Sequence, residues 1–294
     1  MAIVRGASFT NTEDNIDIVI NGDSPGIVIN TVEGIYEFQA DVMTTPYSQT
    51  NGDRYINTRA SRRNIVVSGL IYDDFWNNRQ LMYRVFRPGS IGRFCYMEPD
   101  RTSRYADYYV ESCVIDQDAY RGAYTISLIC PDPFFYDAAP QNVDLAAWTP
   151  DFEFIHEFDE DGEELGHRET SMIKEIDNLN GVDGIGMKII FTSTGEAVNP
   201  YVYLYETGEQ ITIGTPANPF TLDSSKRVEV ETTTGKKGVI LIENNVQTRI
   251  NEYLDPDSIF FQLHAGVNTI GYNASSGAEN MNVRIEYRMR FLGV

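Results

Sequence analysis

Several residue types and patterns are scarce in this 294-residue chain, and each scarcity excludes a class of protein. Cys95, Cys113 and Cys130 are its only cysteines, and no two lie at a zinc-knuckle spacing, so they favour buried free thiols over a disulfide scaffold. No apolar run approaches the roughly 20 residues of a membrane-spanning helix, and the first residues lack the apolar core of a secretion signal. We therefore expect a globular protein of a reducing compartment, outside the membrane.

The residue patterns of common enzymes are missing as well. The three histidines all follow residue 150, so the first half cannot host a histidine-dependent mechanism. No G-x-S-x-G, H-E-x-x-H or G-x-x-x-x-G-K-[ST] motif occurs, and the many carboxylates single out no catalytic pair. We expect no enzymatic activity, no cofactor and no resident metal.

The charge is strongly negative and unevenly divided. The chain has 43 acidic and 23 basic residues, a net charge of −20, which disfavours a nucleic-acid-binding role. Residues 1–140 contain arginine but no lysine, and the proline-rich stretch near residue 140 ends a strand. We predict two domains, residues 1–138 and residues 139–294.

Arginines cluster in the first half, where residues 54–104 hold ten arginines and four acids. Such a cluster binds either DNA phosphates or carboxylates, because a guanidinium group makes bidentate pairs with both. In so acidic a chain, carboxylates of the same or an adjacent subunit are the favoured partners. The candidate subunit contacts in this cluster are Arg54, Arg59, Arg62 and Arg63.

Alternating apolar residues predict β-strands throughout both halves. Ile16 to Ile20 and Ile27 to Ile29 flank an N-G-D-S-P-G turn, a pattern typical of a hairpin. Tyr124, Ile126 and Leu128 share one face of a strand. In the second half, short strands recur at regular intervals with Gly, Asn and Pro between them, which indicates a β-sandwich.

One helix is predicted over residues 74–87, after the capping candidates Asp73 and Asp74 and before Pro88. Its apolar stripe covers well over half of the helix circumference, more than one sheet needs. The surplus surface, which includes Trp76 and Tyr83, belongs either to the domain core or to a subunit contact.

A polar segment, residues 36–63, precedes this helix and contains an N-G-D turn near its middle. It forms either a loose loop or a β-hairpin that another subunit supports.

The acidic run at 157–168 matches an EF-hand calcium loop at four positions, but Arg168 stands where a bidentate Glu is required. The favoured interpretation is a hairpin that turns at Asp161-Gly162 with solvated acids. His156 and His167 flank that turn and could at most form a weak metal site.

Tyr201, Tyr203 and Tyr205 alternate with aliphatic residues along one predicted strand, so their phenol rings share a face. This face either stacks on sugar rings, packs against a neighbouring domain or protein partner, or is covered by its own sandwich.

Over nearly its whole length the chain resembles the distal tail protein (Dit) family of long-tailed phages of Gram-positive bacteria. The resemblance depends on the order and spacing of eight segments, none of them a catalytic fingerprint. They are R-R-N-I-V-V-S-G-L-I, R-Q-L-M-Y-R-V-F-R-P-G, G-R-F-C-Y-M, I-S-L-I-C-P-D-P-F-F-Y, N-P-Y-V-Y-L-Y-E-T-G-E-Q-I-T-I, T-T-T-G-K-K-G-V-I-L-I, S-I-F-F-Q-L-H-A-G-V-N-T-I-G-Y and Y-R-M-R-F-L-G-V.

The resemblance implies an all-β fold with one short helix. The first domain would be a β-sandwich or split barrel with a belt hairpin at residues 36–63, and the second a galectin-like, carbohydrate-module-like sandwich. It implies a homohexameric hub at the virion tail tip or baseplate, assembled in the host cytoplasm, through whose bore DNA passes as cargo. Its implied partners are the tail tube protein, the tail-associated hub protein and receptor-binding proteins. An alternative function is a module that binds host cell-wall glycan through the second domain. The acidic hairpin between His156 and His167 has no counterpart in the family pattern.

Overall fold

The computed structural model describes residues 6–21, 26–96, 103–118, 121–145, 147–150, 166–169, 172–179 and 181–294. These ranges contain antiparallel strands and one α-helix, which confirms the predicted all-β class. None of the helices within these ranges is long and apolar enough to cross a membrane.

The chain forms two compact units. Unit 1 comprises Met1–Ala138 and the last five residues, Arg290–Val294, and unit 2 comprises Ala139–Met289. The sequence assigned residues 290–294 to the second domain, but Arg290 and Phe291 pair with Tyr136 and Phe135 in unit 1, and Val294 donates a backbone hydrogen bond to Ile35. The elements of unit 1 are β1 Gly6–Asn11, β2 Ile16–Asn21, β3 Ile27–Glu33, β4 Ala40–Pro46, β5 Asp53–Ala60, β6 Arg63–Ile71, α1 Phe75–Val85, β7 Ile91–Tyr96, β8 Arg104–Asp118, β9 Arg121–Cys130, β10 Phe135–Asp137 and, from the end of the chain, β24 Arg290–Phe291.

One curved sheet forms most of unit 1, in the order β2-β1-β7-β8-β9-β6-β3, with β10 joining β8 to β24. Its two edge strands supply Ile20 and Ile27 to the same buried cluster, so the sheet wraps around a single core without closing into a barrel in the described part of the chain. The predicted inward face of β9 is confirmed, because Tyr124, Ile126 and Leu128 are all buried.

The predicted hairpin between Ile16 and Ile29 is wrong. Strand β2 pairs with β1, and β3 pairs with β6, so the two strands lie at opposite edges of the sheet. The alternation of isoleucines identified both strands correctly, but alternation reports which face is buried and carries no information about the partner strand.

Helix α1 buries Phe75, Met82 and Val85 in the unit 1 core. Trp76 stays 61% exposed, so part of the wide apolar stripe faces solvent. Asp74 takes the N-cap position, but its carboxylate accepts hydrogen bonds from the side chain of Asn77 and caps no backbone N–H. Side-chain capping, which the sequence predicted, is therefore absent at this terminus.

The polar segment forms a β-hairpin of β4 and β5, and among the strands that the structure describes these two pair only with each other. Every residue from Tyr36 to Arg59 is exposed. The structure thus decides between the two predicted alternatives, loop or hairpin, and it shows a ribbon that projects from the unit 1 core.

Unit 2 is a β-sandwich with its core between two sheets. Their orders are β11-β23-β15-β19-β20-β21 and β14-β22-β16-β17, with β18 also paired to β16, and both contribute to one buried cluster. The strands are β11 Gln141–Asp144, β12 Ala147–Pro150, β13 Gly166–Glu169, β14 Ile173–Asn178, β15 Met187–Ser193, β16 Ala197–Leu204, β17 Gln210–Thr212, β18 Thr221–Leu222, β19 Lys226–Glu231, β20 Gly238–Glu243, β21 Val246–Arg249, β22 Gly266–Ser276 and β23 Met281–Tyr287, with 3₁₀ turns at Asn251–Tyr253 and Ala278–Asn280.

Strands β12 and β13 pair with each other, from Ala147 opposite Glu169 to Pro150 opposite Gly166. The predicted acidic turn at Asp161-Gly162, His156 and the side chain of His167 lie outside the described residues. The calcium-loop and metal-site alternatives for this segment therefore stay untested.

Three tyrosines cover glycines directly opposite them on neighbouring strands: Tyr124 covers Gly69, Tyr108 covers Gly92 and Tyr203 covers Gly271. A Cβ atom at Gly92 would lie 2.3 Å from Cζ of Tyr108, and one at Gly271 would lie 2.3 Å from Cζ of Tyr203. The ring occupies the space of a side chain at Gly271, whereas at Gly69 and Gly92 the ring shares that space with a backbone carbonyl oxygen, of Val28 and Thr10 respectively. These glycines are therefore packing requirements of the sheets.

A buried arginine joins four segments of unit 1. The Arg63 side chain, 5% exposed, donates from Nε to the carbonyl of Pro133 at 2.8 Å and from Nη1 to that of Glu37 at 2.5 Å. It also donates to the carbonyls of Gly34 and Leu292. Its guanidinium lies 4.8 Å from the centroid of the Phe135 ring.

The C-terminal segment has further contacts at the same place. Arg104 donates to the carbonyl of Gly293 at 2.8 Å and lies 3.6 Å from the Phe291 ring centroid. The backbone N–H of Val294 donates to the carbonyl of Ile35 at 3.2 Å. The root of the hairpin, strand β10 and the last residues of the chain are therefore held together by two arginines.

We expect Gly92→Ala to reduce the free energy of unfolding by about 1–3 kcal/mol, because the new methyl group collides both with the Tyr108 ring and with the carbonyl oxygen of Thr10. Urea denaturation followed by circular dichroism measures this loss. The outward-facing Thr125→Ala is the control and should change stability by less than about 0.5 kcal/mol. Equal effects of the two variants would contradict the packing role of Gly92.

We expect Arg63→Lys to reduce the free energy of unfolding by about 3–5 kcal/mol. One ammonium group cannot reach carbonyls on several sides, so buried acceptors are left unpaired. Its exposed neighbour provides the control, since Arg62→Lys should stay within about 0.5 kcal/mol of the parent. Denaturant titration of both variants compares them, and a cost below about 1 kcal/mol for Arg63→Lys would refute the joining role.

Candidate interaction surfaces

The β4–β5 hairpin presents two chemically different faces. On one, Val42 lies opposite Thr58 and Thr44 lies opposite Tyr55. The other carries the pairs Asp41–Arg59, Met43–Asn57 and Thr45–Arg54, with 3.1 Å between Arg59 Nε and Asp41 Oδ2. The register shifts between Met43 and Thr44, which places an additional residue, Ile56, in β5 as a β-bulge.

The hairpin exposes more apolar side chain than a solvated ribbon needs. A two-stranded ribbon is marginally stable by itself in water, and it becomes stable when one face packs against another surface. Within the described part of the chain, β4 and β5 pair with no other strand. The large exposed apolar residues of this segment are Tyr36, Phe38, Val42, Met43, Tyr47, Tyr55 and Ile56.

A polar cleft of about 880 Å³ lies where the hairpin leaves the sheet. Arg59 and Arg62 line it together with Glu33, Glu37 and Glu111. Charges of both signs therefore face the cleft, which suits a partner surface that also carries both.

The structure places the four predicted interface arginines in different environments. Arg54 and Arg59 are exposed on the hairpin, and Arg62 is exposed at its root. The prediction that Arg63 contacts another subunit is wrong, because its donors are directed at backbone carbonyls of its own chain. The sequence could not separate Arg62 from Arg63, because it does not show that β6 begins at Arg63 or which side chain faces the core there.

The exposed side of α1 carries an ordered aromatic group. The Arg79 guanidinium lies 5.7 Å from the ring centroid of Trp76 and 5.3 Å from that of Tyr83. The two predicted residues, Trp76 and Tyr83, thus form one surface through Arg79, which was not among the residues predicted from the sequence. The i, i+3, i+7 spacing of Trp76, Arg79 and Tyr83 places all three on one face of the helix, and this spacing could have identified Arg79 from the sequence.

The predicted tyrosine face lies on β16 of unit 2. Val202 and Leu204 are fully buried, while Tyr201 and Tyr203 are half-buried on the outer face, with ring centroids 6.2 Å apart. Tyr205 follows the end of the strand and is exposed. The alternative in which the sandwich covers all three rings is therefore wrong.

The cysteine thiols of unit 1 are unsuited to nucleophilic chemistry. Cys130 is buried, and burial raises the pKa of its thiol to about 12, while burial raises that of Cys113 to about 11. Both thiols are protonated at neutral pH, whereas thiolate is the reactive form. Within the described ranges, no three His, Cys, Asp or Glu residues are grouped so as to hold a metal ion.

Comparisons with known proteins give matches at the level of three-dimensional structure. No protein-family model and no curated protein sequence matches the chain.

Among solved structures, the chain is similar to the Dit protein (gp 19.1) of phage SPP1, described as a paradigm of the hub adsorption apparatus in phages that infect Gram-positive bacteria. The TM-score is 0.67 at 13% identity, and the match covers 97% of this chain and 99% of that one.

The chain is also similar to chains of the phage p2 baseplate in its activated conformation. With Ca the TM-score is 0.53 at 8% identity, and with Sr it is 0.54 at 7%, each match covering 99% of this chain. Since both units are included in these matches, the chain has the fold of the SPP1 Dit protein over nearly its whole length, as the resemblance in its sequence predicted.

Proposed function

We propose that this chain is a distal tail protein, a structural subunit that forms a hexameric hub at the tail tip or baseplate of a phage virion. The observation that carries the proposal is the full-length fold similarity to the SPP1 Dit protein, which includes both units. In this role the hub joins the tail tube protein to the tail-associated hub protein and to receptor-binding proteins. It has no enzymatic activity.

The exposed hairpin supports a ring of identical subunits. Its apolar face needs a partner surface, and an adjacent copy of the chain supplies one at fixed geometry. Arg54 and Arg62 lie on the hairpin and at its root, where they can pair with carboxylates of the neighbouring subunit, and Arg59 can do so in addition to its ion pair with Asp41. Trp76 and Tyr83 provide a second candidate contact, on the exposed side of α1.

The charge of the chain suits a hub through which DNA passes. Residues 1–140 contain no lysine and have more acids than arginines, so the ring-forming domain has little attraction for phosphates. DNA is then cargo and not a ligand. The second domain, residues 139–294, is proposed as a peripheral galectin-like sandwich that docks host-recognition proteins. Assembly takes place in the host cytoplasm.

A ring of six 33.3-kDa chains predicts a particle of about 200 kDa. Light scattering coupled to size exclusion should detect it at high protein concentration or with the tail tube and hub proteins present, and electron micrographs should show six-fold rings. A monomer under all of these conditions would overturn the hexameric hub.

We expect the double variant Val42→Asp, Ile56→Asp to abolish the ring and leave the subunit folded. Both side chains are exposed in the single chain, at 60% and 58%, so the charges affect stability by only about 0.5 kcal/mol but are costly in a buried contact. Val246→Asp is the matched control, because Val246 is 63% exposed on the β20–β21 hairpin of unit 2. Light scattering and thermal melting separate assembly from folding. A double variant that still forms rings would remove the hairpin from the interface.

A further inference from the structure

The ring of Tyr203 lies flat on the outer face of the second sandwich. Gly271 belongs to that outer face, since its neighbours Ile270 and Tyr272 point into the core, and yet Gly271 is buried. The cause is Tyr203 on the opposite strand: a Cβ atom at Gly271 would meet Cζ, Oη and Cε1 of that ring at 2.3–2.8 Å. One face of the ring therefore rests on the sheet, and the other is directed outward.

Hydrogen-bonding side chains lie on the β17 side of this ring and beside Tyr201, whereas on the β14 side the exposed apolar Ile173 lies opposite Gly271. Gln210 is the direct neighbour of Tyr203 on β17, and Thr212 and Asn273 are the neighbours of Tyr201 on either side. Gln210 donates from Nε2 to Thr212 Oγ1 at 2.6 Å, which orders both groups. Amide and hydroxyl groups beside an open aromatic face are the combination that recognises a pyranose ring, with its apolar C–H face and polar rim.

The charges around this face select the kind of glycan. Glu175 on β14 and Asp177 two residues on alternate with buried Ile176, so they share the outer side of the same sheet. Glu206 follows the end of the tyrosine strand, and its Oε1 accepts a hydrogen bond from the backbone N–H of Thr269 at 2.8 Å. These three carboxylates, of which Glu206 is held by a hydrogen bond, repel a polyanion and leave a neutral or amino sugar as the compatible ligand.

We propose that the outer face of the β14-β22-β16-β17 sheet binds a neutral glycan, with Tyr203 as the stacking platform. Tyr201 and Tyr205 extend the apolar surface on either side of it, and Gln210, Thr212 and Asn273 bind the sugar hydroxyls. This activity is separate from the proposed ring, because it belongs to unit 2 alone. Exposed aromatic rings also suit a protein partner, but flat stacking on a glycine and flanking amide groups favour a sugar.

Titration calorimetry on the full chain tests the proposal, with soluble oligomers of N-acetylglucosamine, galactose and glucose as neutral probes and polyglycerol phosphate as the anionic probe. We expect binding of at least one neutral oligomer and none of the polyanion. Tyr203→Leu still covers Gly271 but removes the aromatic plane, so it should weaken binding roughly three- to tenfold. Tyr109→Leu, at an exposed tyrosine on a strand of unit 1, is the matched control and should bind as the parent does.

Gly271→Ala tests the position of the Tyr203 ring independently. Its methyl group lifts the ring off the sheet and leaves every hydrogen-bonding side chain unchanged. It should also weaken binding, with melting curves to verify the fold. Failure of the parent to bind any neutral oligomer would overturn the proposal. The proposal would also be overturned if Tyr203→Leu bound the neutral oligomers as tightly as the parent does, or if this face bound a tail protein and no neutral oligomer. Ring formation is measured in the same samples, so a failure here is distinguishable from a failure of the hub.

Discussion

The Arg63 guanidinium is the contact on which the architecture of unit 1 depends. One buried cation accepts no hydrogen bonds and donates to carbonyls from the hairpin root, the segment before β10 and the C-terminal segment. Burial lowers the pKa of this group, yet an arginine stays charged at any physiological pH, so the carbonyl dipoles surround a permanent charge. Three chain segments that are distant in sequence are thereby fixed in one place.

This fixed root explains how an exposed hairpin is compatible with a defined structure. Strands β4 and β5 pack against no core in the described part of the chain, but the residues before and after them, Gly34, Glu37 and Arg63, are held by partly buried hydrogen bonds. The direction in which the ribbon leaves the sheet is thus set by the body of the unit. A rigid root reduces the ordering cost of docking the ribbon on a neighbour, which is the general advantage of preorganisation.

Tyrosine rings that lie over glycines are found in both units, and their position in the sheet decides what they do. Two of these tyrosine–glycine pairs lie in the core of unit 1, and the third lies on the outer face of the unit 2 sandwich. In the core, Tyr108 over Gly92 and Tyr124 over Gly69 fill volume. On the outer face of unit 2, Tyr203 packs one side of its ring on Gly271, and the other side is available to bind the proposed glycan.

The sequence by itself determined the local features: strands with their buried faces, the helix, the sandwich of unit 2 and the resemblance that predicted the fold. The strands, the helix and the sandwich could be predicted because burial leaves a period of two or 3.6 residues along the chain. The resemblance depended instead on the order and spacing of eight sequence segments. Pairing, by contrast, was decided only in three dimensions, as the separation of β2 from β3 shows. The roles of Arg62 and Arg63 were likewise indistinguishable in sequence, since what separates them is the carbonyls that converge on one side chain from residues 34, 37, 133 and 292. Alternation placed the tyrosines on one face, but the open ring of Tyr203 depends on a glycine 68 positions away that only the strand register brings beneath it.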